Sequence, residues 1–225
     1  MSAPATRFGA GPLSRVAAFV YTALVVEALF LLTALPGLAA LVLLAPDPSN
    51  APLAVACLLP VGPALSAALY AWGRRRADIT DLWPAGTFLR GYRANLGGVL
   101  RLWIPLLAWL AITATILANF PAAGVPVWWG ILLGLLAVAA LLWAANALVI
   151  TSLFAFRTAD VARLAVYMLL HRPRVTLANA CLLVVAAGVT FYASEVALAL
   201  LAVVFAAMLL RGCRPMIAEI AEQFI

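Results

Sequence analysis

Lysine is absent from these 225 residues, histidine occurs once, cysteine three times, and charged residues of every kind make up only 10%. A soluble domain carries about 25% charged residues. The shortage excludes a soluble globular protein and a charge-rich disordered chain. Three cysteines in a chain of this length exclude a disulfide scaffold. Cys57, Cys181 and Cys213 are far apart, have no metal-ligand spacing and read as reduced packing residues. The single histidine, His171, sits among arginines in a polar stretch and reads as a surface residue. No metal-ligand cluster, P-loop or GxSxG elbow occurs. The sequence therefore calls for no enzyme activity, no metal and no cofactor. A secretory signal peptide does not fit either, because the first apolar stretch is too long and no small-residue cleavage pattern follows it.

What is present is apolar surface. Hydrophobic residues make up 67% of the chain and the mean hydropathy is +1.13. A soluble fold of this size cannot hide so much from water. The chain reads as an all-α, polytopic membrane helix bundle forming a single domain over residues 1–225, with about six transmembrane helices. The expected spans are about 16–45, 52–72, 96–120, 127–156, 175–193 and 196–210. The last two share one apolar stretch, Val175 to Leu210, which as a single straight helix would measure about 54 Å. That exceeds a whole bilayer of about 40–45 Å, so a break is expected near Ser194–Glu195.

The placement of arginine sets the expected orientation. All 14 basic residues are arginine. They fall in the two tails, in the stretch between the second and third spans with its helix edges (Arg101 included), and in the stretch between the fourth and fifth. Residues 46–51, 121–126 and 194–195 hold none. Under the positive-inside rule both tails and the two long loops are cytoplasmic. Arginine without lysine, with abundant alanine, is the composition of a GC-rich bacterial coding sequence, so the expected location is the bacterial plasma (inner) membrane. The arginines border apolar runs, which makes anionic headgroups the expected partner rather than nucleic acid. Arg74, Arg75, Arg76, Arg90, Arg93, Arg163, Arg172 and Arg174 form the expected lipid- or partner-facing surface.

Two cytoplasmic stretches read as short amphipathic helices at the membrane surface. One is Asp81–Asn95, with Phe88, Leu89 and Tyr92 on one face. The other is Thr158–Leu170, with Leu164, Tyr167 and Met168 as an apolar stripe. Trp128 and Trp129 suit the outer interface, and Trp72, Trp83 and Trp103 the inner one.

Within the spans, Glu27 stands out. It lies roughly 18 Å along a helix from Arg15, near the middle of a core about 30 Å thick. A charge there is costly unless paired, hydrated or protonated. Two readings stay open: a proton, cation or ligand site, and a hydrogen-bonded clamp between helices. Asn146, at similar depth, is the expected hydrogen-bond partner. Ser66 is a further intramembrane polar candidate, while Thr113 and Thr115 are expected to bond to their own helix. Pro36-Gly37 and Pro60-Val-Gly-Pro63 read as kinks or as broken helices. Gly130 and Gly134 form a GxxxG pattern suited to packing.

Three stretches carry a resemblance. Leu29–Pro36, Pro60–Tyr70 (PVGPALSAALY) and Thr87–Asn95 (TFLRGYRAN) resemble, in order and spacing, segments of the YesL-like family of bacterial integral membrane proteins. The chain departs from that pattern at Glu27, where the family expectation is asparagine. The resemblance implies a six-helix inner-membrane protein associated with carbohydrate uptake, an accessory that partners sugar transporter subunits, and it carries over no catalytic residues. The alternative expectation is a small secondary transporter using Glu27 as its coupling or substrate site.

Overall fold

A computed structural model describes residues 12–45, 47–75 and 83–223. Among them all regular structure is helical: α1 Pro12–Leu43, α2 Ala51–Ala56, α3 Val61–Gly73, α4 Pro84–Ala118, α5 Val127–Leu153, α6 Thr158–His171, α7 Pro173–Tyr192, α8 Glu195–Ala199, α9 Ala202–Gly212 and α10 Arg214–Gln223. Four stretches are long and apolar enough to cross a membrane: Val16–Leu43, α4, α5 and α7. The pair Pro48–Ala56 and Val61–Gly73, bent by 41°, is a candidate fifth. The expected sixth span, 196–210, is instead divided between α8 and α9, with α9 only 11 residues long.

Proline and glycine act differently in the first two apolar segments. α1 runs unbroken through Pro36, and Thr33 Oγ1 donates to Leu29 O at 2.8 Å in the turn before it. The second segment is broken at residues 57–60. Pro60 has no N–H to continue the helix, and at the break the Leu58 carbonyl accepts from Val61 N at 3.1 Å and from Trp103 Nε1 of α4 at 3.0 Å. Two glycines make room for this break. A Cβ on Gly37 would fall 2.0 Å from Cys57 O, and one on Gly62 would fall 2.7 Å from the Trp103 ring.

α4 corrects an expectation. Of the stretch read as a separate surface helix, Asp81–Asn95, residues 81–82 lie outside the described residues and Pro84–Asn95 is the first part of one 35-residue helix that continues to Ala118. Pro84 occupies its first turn, where a missing N–H is harmless, and nothing between Asn95 and Leu96 ends the hydrogen-bond ladder. Phe88 is fully buried and stacks with Tyr92 at 6.4 Å, while Leu89 faces outward. α6 is a separate helix, but its inward stripe is Val161, Ala165 and Met168. Tyr167 is on the outside. The GxxxG pattern is not a helix-crossing seam either: Gly130 faces the Phe120 ring and Gly134 faces open space.

The break expected near 194–195 is present. α7 ends at Tyr192, and Ser194 Oγ accepts Ala197 N–H at 3.1 Å to cap α8. α9 then returns toward the end from which α7 began. Phe19 of α1, Arg75 after α3, Phe154 after α5 and Arg211 and Arg214 around the end of α9 line one cavity. Leu41 of α1, Ala54 of α2, Thr190 of α7 and Glu195 of α8 line another, toward the opposite end. The described chain therefore starts and finishes at the same end of the bundle.

Small residues bring the central helices together. Ala64, Ala67 and Ala68 of α3 are fully buried against Val26 and Ala34 of α1 and Val149 and Ile150 of α5. Small side chains let backbones approach where lipid provides no hydrophobic drive between helices. Outward-facing large apolar residues such as Leu24, Leu135 and Val184 are compatible with a membrane environment.

Candidate functional site

Glu27 is held by the N-terminus of another helix. Its Oε2 accepts the Val203 backbone N–H at 2.9 Å. Ala202 and Val203 open α9, where the first N–H groups lack intrahelical partners and the helix dipole favours negative charge. α1 thus supplies from outside the cap that Leu201, at the α9 N-cap, cannot supply from within. The other carboxylate oxygen, Oε1, is buried and has no hydrogen-bond partner.

This contact lies between the two cavities. Ala23, one turn before Glu27, lines the cavity of about 780 Å³, as does Val203. Phe30, one turn after Glu27, lines the cleft of about 490 Å³, as does Ala202. Glu27 is not among the described residues lining either.

The expected Glu27–Asn146 hydrogen bond is not formed. Asn146 Oδ1 accepts from Asn179 Nδ2 of α7 at 3.0 Å, and Asn179 also meets Cys213 Sγ at 3.7 Å. The Asn146 Nδ2 group is buried without a partner. An expected similar depth along two helices could not specify which neighbour each side chain faces. α1 packs on α3, α4 and α9, whereas Asn146 points to α7.

Ser66 belongs to a second network. Its Oγ lies 2.8 Å from Ser152 Oγ of α5, and Asn95 of α4 donates to it at 3.3 Å. Ser152 also donates to Leu148 O at 2.5 Å. Thr113 and Thr115 bond to their own helix, at Trp109 O and Ala111 O. Two of the stretches that carry the family resemblance meet here: Tyr70 packs on Gly91, and Ser66 is bonded by Asn95. They form the α3–α4 seam.

The expected arginine surface is not uniform. Arg76 lies outside the described residues. Arg74 rests over the Tyr70 ring at 4.6 Å, and Arg75 over Phe19 at 4.9 Å and Trp72 at 5.1 Å. Arg90, Arg93, Arg163 and Arg174 are exposed. Arg172 is the exception to an open face. Its Nε donates to Glu219 Oε2 of α10 at 2.6 Å, and His171 Nε2 approaches Oε1 at 3.6 Å. The Arg172 hydrogen bond holds the Glu219 carboxyl below the usual carboxylate range. Burial pushes the nearby Cys213 thiol up to about 11.

Sequence reasoning missed Glu219, Asn179 and Ser152. Met216, Glu219 and Ile220 all point inward at helical spacing, so a lone carboxylate on the apolar stripe of the tail was the available signal for Glu219. Asn179 and Ser152 have no comparable signal beyond being polar in an apolar helix.

No protein-family model, curated protein or solved structure matches the chain. Among the described residues no group of histidine, cysteine, aspartate and glutamate is placed to hold a metal. The fold and these contacts define a class: an all-helical, membrane-compatible bundle with polar clamps between its helices.

Proposed function

We propose that this chain is a six-crossing bacterial inner-membrane protein with both termini cytoplasmic, acting without catalysis as an accessory to carbohydrate uptake. The observation that carries the accessory role is the commitment of Glu27: the acid at mid-span depth caps α9 and ties the first helix to the end of the bundle. That is the geometry of a clamp. Six crossings follow if the broken α2–α3 pair is one span and α8–α9 another. The return of α9 to the end where α1 starts supports an even number. The arginine distribution then puts that end in the cytoplasm, with α6 along the inner surface. The carbohydrate connection is supported by the YesL-like stretches, two of which build the α3–α4 seam.

The test is co-purification. A tagged chain extracted in mild detergent is expected to bring transporter subunits with it, and a chain that emerges alone even after crosslinking in cells overturns the accessory role. Cysteines placed at Ser49 and at Gly124 should react with an impermeant reagent from outside the cell, and one at Arg163 only after the membrane is opened. Labelling of all three from the same side overturns the topology.

A second reading has its own observation: cavities approach Glu27 from both ends, and its Oε1 is unpartnered. A small secondary transporter would open them alternately by breaking and remaking the Glu27–Val203 contact. It requires pH-dependent solute uptake by vesicles containing the purified chain, lost in Glu27→Gln. Uptake unchanged in that variant removes Glu27 as the coupling site.

A further inference from the structure

We propose that the cavity bounded by Arg75, Arg211 and Arg214 is a binding site for one anionic phospholipid, its phosphate held by the three guanidinium groups and an acyl chain lying between α1 and α9. Two of these arginines, Arg211 and Arg214, belong to no surface expected from the sequence. They line one cavity with Arg75, because α9 packs on α3 and the chain turns at Cys213 into α10. The cavity measures about 780 Å³, within the range of small-molecule sites of roughly 300–1,000 Å³.

Among the described residues its charge is one-sided. None of the described residues lining it is acidic, and none of the three arginines has a carboxylate partner among the described residues. This contrasts with Arg172, whose charge Glu219 answers directly. Arg75 is also positioned, resting over both the Phe19 and Trp72 rings. Guanidinium groups in such a cluster match phosphate oxygens by paired N–H donation.

The remaining wall is apolar. Ala23 of α1 and Val204, Ala207 and Met208 of α9 continue from the arginines toward the middle of the bundle. A free inorganic phosphate would use the charged rim alone. A phosphate with an acyl chain uses both rim and wall, and that complementarity selects the lipid. The proposal rests on the chain being membrane-embedded but on no partner or transport role. Failure of co-purification leaves it standing, and failure of lipid selectivity leaves the accessory role standing.

The experiment uses the full chain in neutral detergent, offered phosphatidylglycerol or phosphatidylcholine of identical acyl chains, with retained lipid counted by native mass spectrometry. The wild type is expected to hold one phosphatidylglycerol in strong preference to phosphatidylcholine. Each arginine near a membrane surface contributes about fivefold to the binding of an anionic lipid, so Arg211→Gln/Arg214→Gln should reduce the preference by about 25-fold. Arg101→Gln, which removes one charge from the exposed side of α4 outside the cavity, is the control for Arg75→Gln and should leave the preference intact. Arg75→Gln, expected to lose about fivefold, keeps the test open if the double variant does not fold. Equal loss in the α4 variant, equal retention of phosphatidylcholine, or displacement of the lipid by millimolar inorganic phosphate overturns the proposal.

Discussion

The Glu27 carboxylate on the first helix accepts the backbone N–H of Val203 at 2.9 Å, across 176 positions of sequence. A helix that begins inside a bundle leaves N–H groups without water to satisfy them, so an acceptor has to come from a neighbour. Glutamine retains a carbonyl oxygen for this and leucine does not. Glu27→Leu should therefore destabilise the protein by about 1–2 kcal/mol, and Glu27→Gln by less, in unfolding from mixed micelles. Equal loss in the two variants would show that the cap is not what Glu27 contributes.

Close backbone approach at the broken helix gives a second expectation. Gly37→Ala places a methyl group 2.0 Å from the Cys57 carbonyl, and overpacking of this kind costs about 1–3 kcal/mol. Gly134→Ala, with nothing within 4 Å, should be neutral or stabilising by up to about 1 kcal/mol. Thermal stability of the two variants in the same detergent checks the contrast, which disappears if α1 does not lie against residues 57–60.

Trp103→Phe separates ring from N–H. The phenyl group still fills the slot above Gly62, but the Leu58 carbonyl loses its 3.0 Å donor. The expected loss is about 1 kcal/mol. Trp103→Ala, which also empties the slot, should cost about 3 kcal/mol or more.

The Arg172–Glu219 pair predicts an acid response. The carboxyl is held below its ordinary value of 4.5 by its hydrogen bond from Arg172. A lowered folded pKa gives stability that is fully present above the unfolded value and is lost as pH falls through the folded one. Melting temperature should therefore drop below about pH 4.5 in the wild type, and that part of the drop should be absent in Glu219→Gln. Parallel acid profiles for the two proteins would remove the pair as its source.

Cysteine reactivity tests the packing of the tail. Cys213 is fully buried with its thiol pushed up to about 11, whereas Cys181 is exposed on α7. A maleimide at pH 8 should modify a cysteine placed at the exposed Arg163 in the folded protein and Cys213 only after denaturation, as read by mass spectrometry of peptides. Modification of both at the same rate would mean that α10 is not docked.

The membrane-like class, the apolar segments, the break after Tyr192 and the segregation of arginine were all legible in the sequence, because each is a one-dimensional property of hydropathy, chain length or charge. Glu27 stood out in the same way, as a lone acid in a long apolar segment. Its partner was not, nor was the pairing of Asn146 with Asn179. Helices that are apolar nearly all round carry little record of which side faces a neighbour, since in lipid both sides satisfy the hydrophobic effect. Only the tertiary structure chose the directions in which Glu27, Asn146 and Ser66 point. It likewise put Arg211, Arg214 and Arg75 around one cavity, because what a side chain faces depends on rotation about each helix axis as well as on height along it.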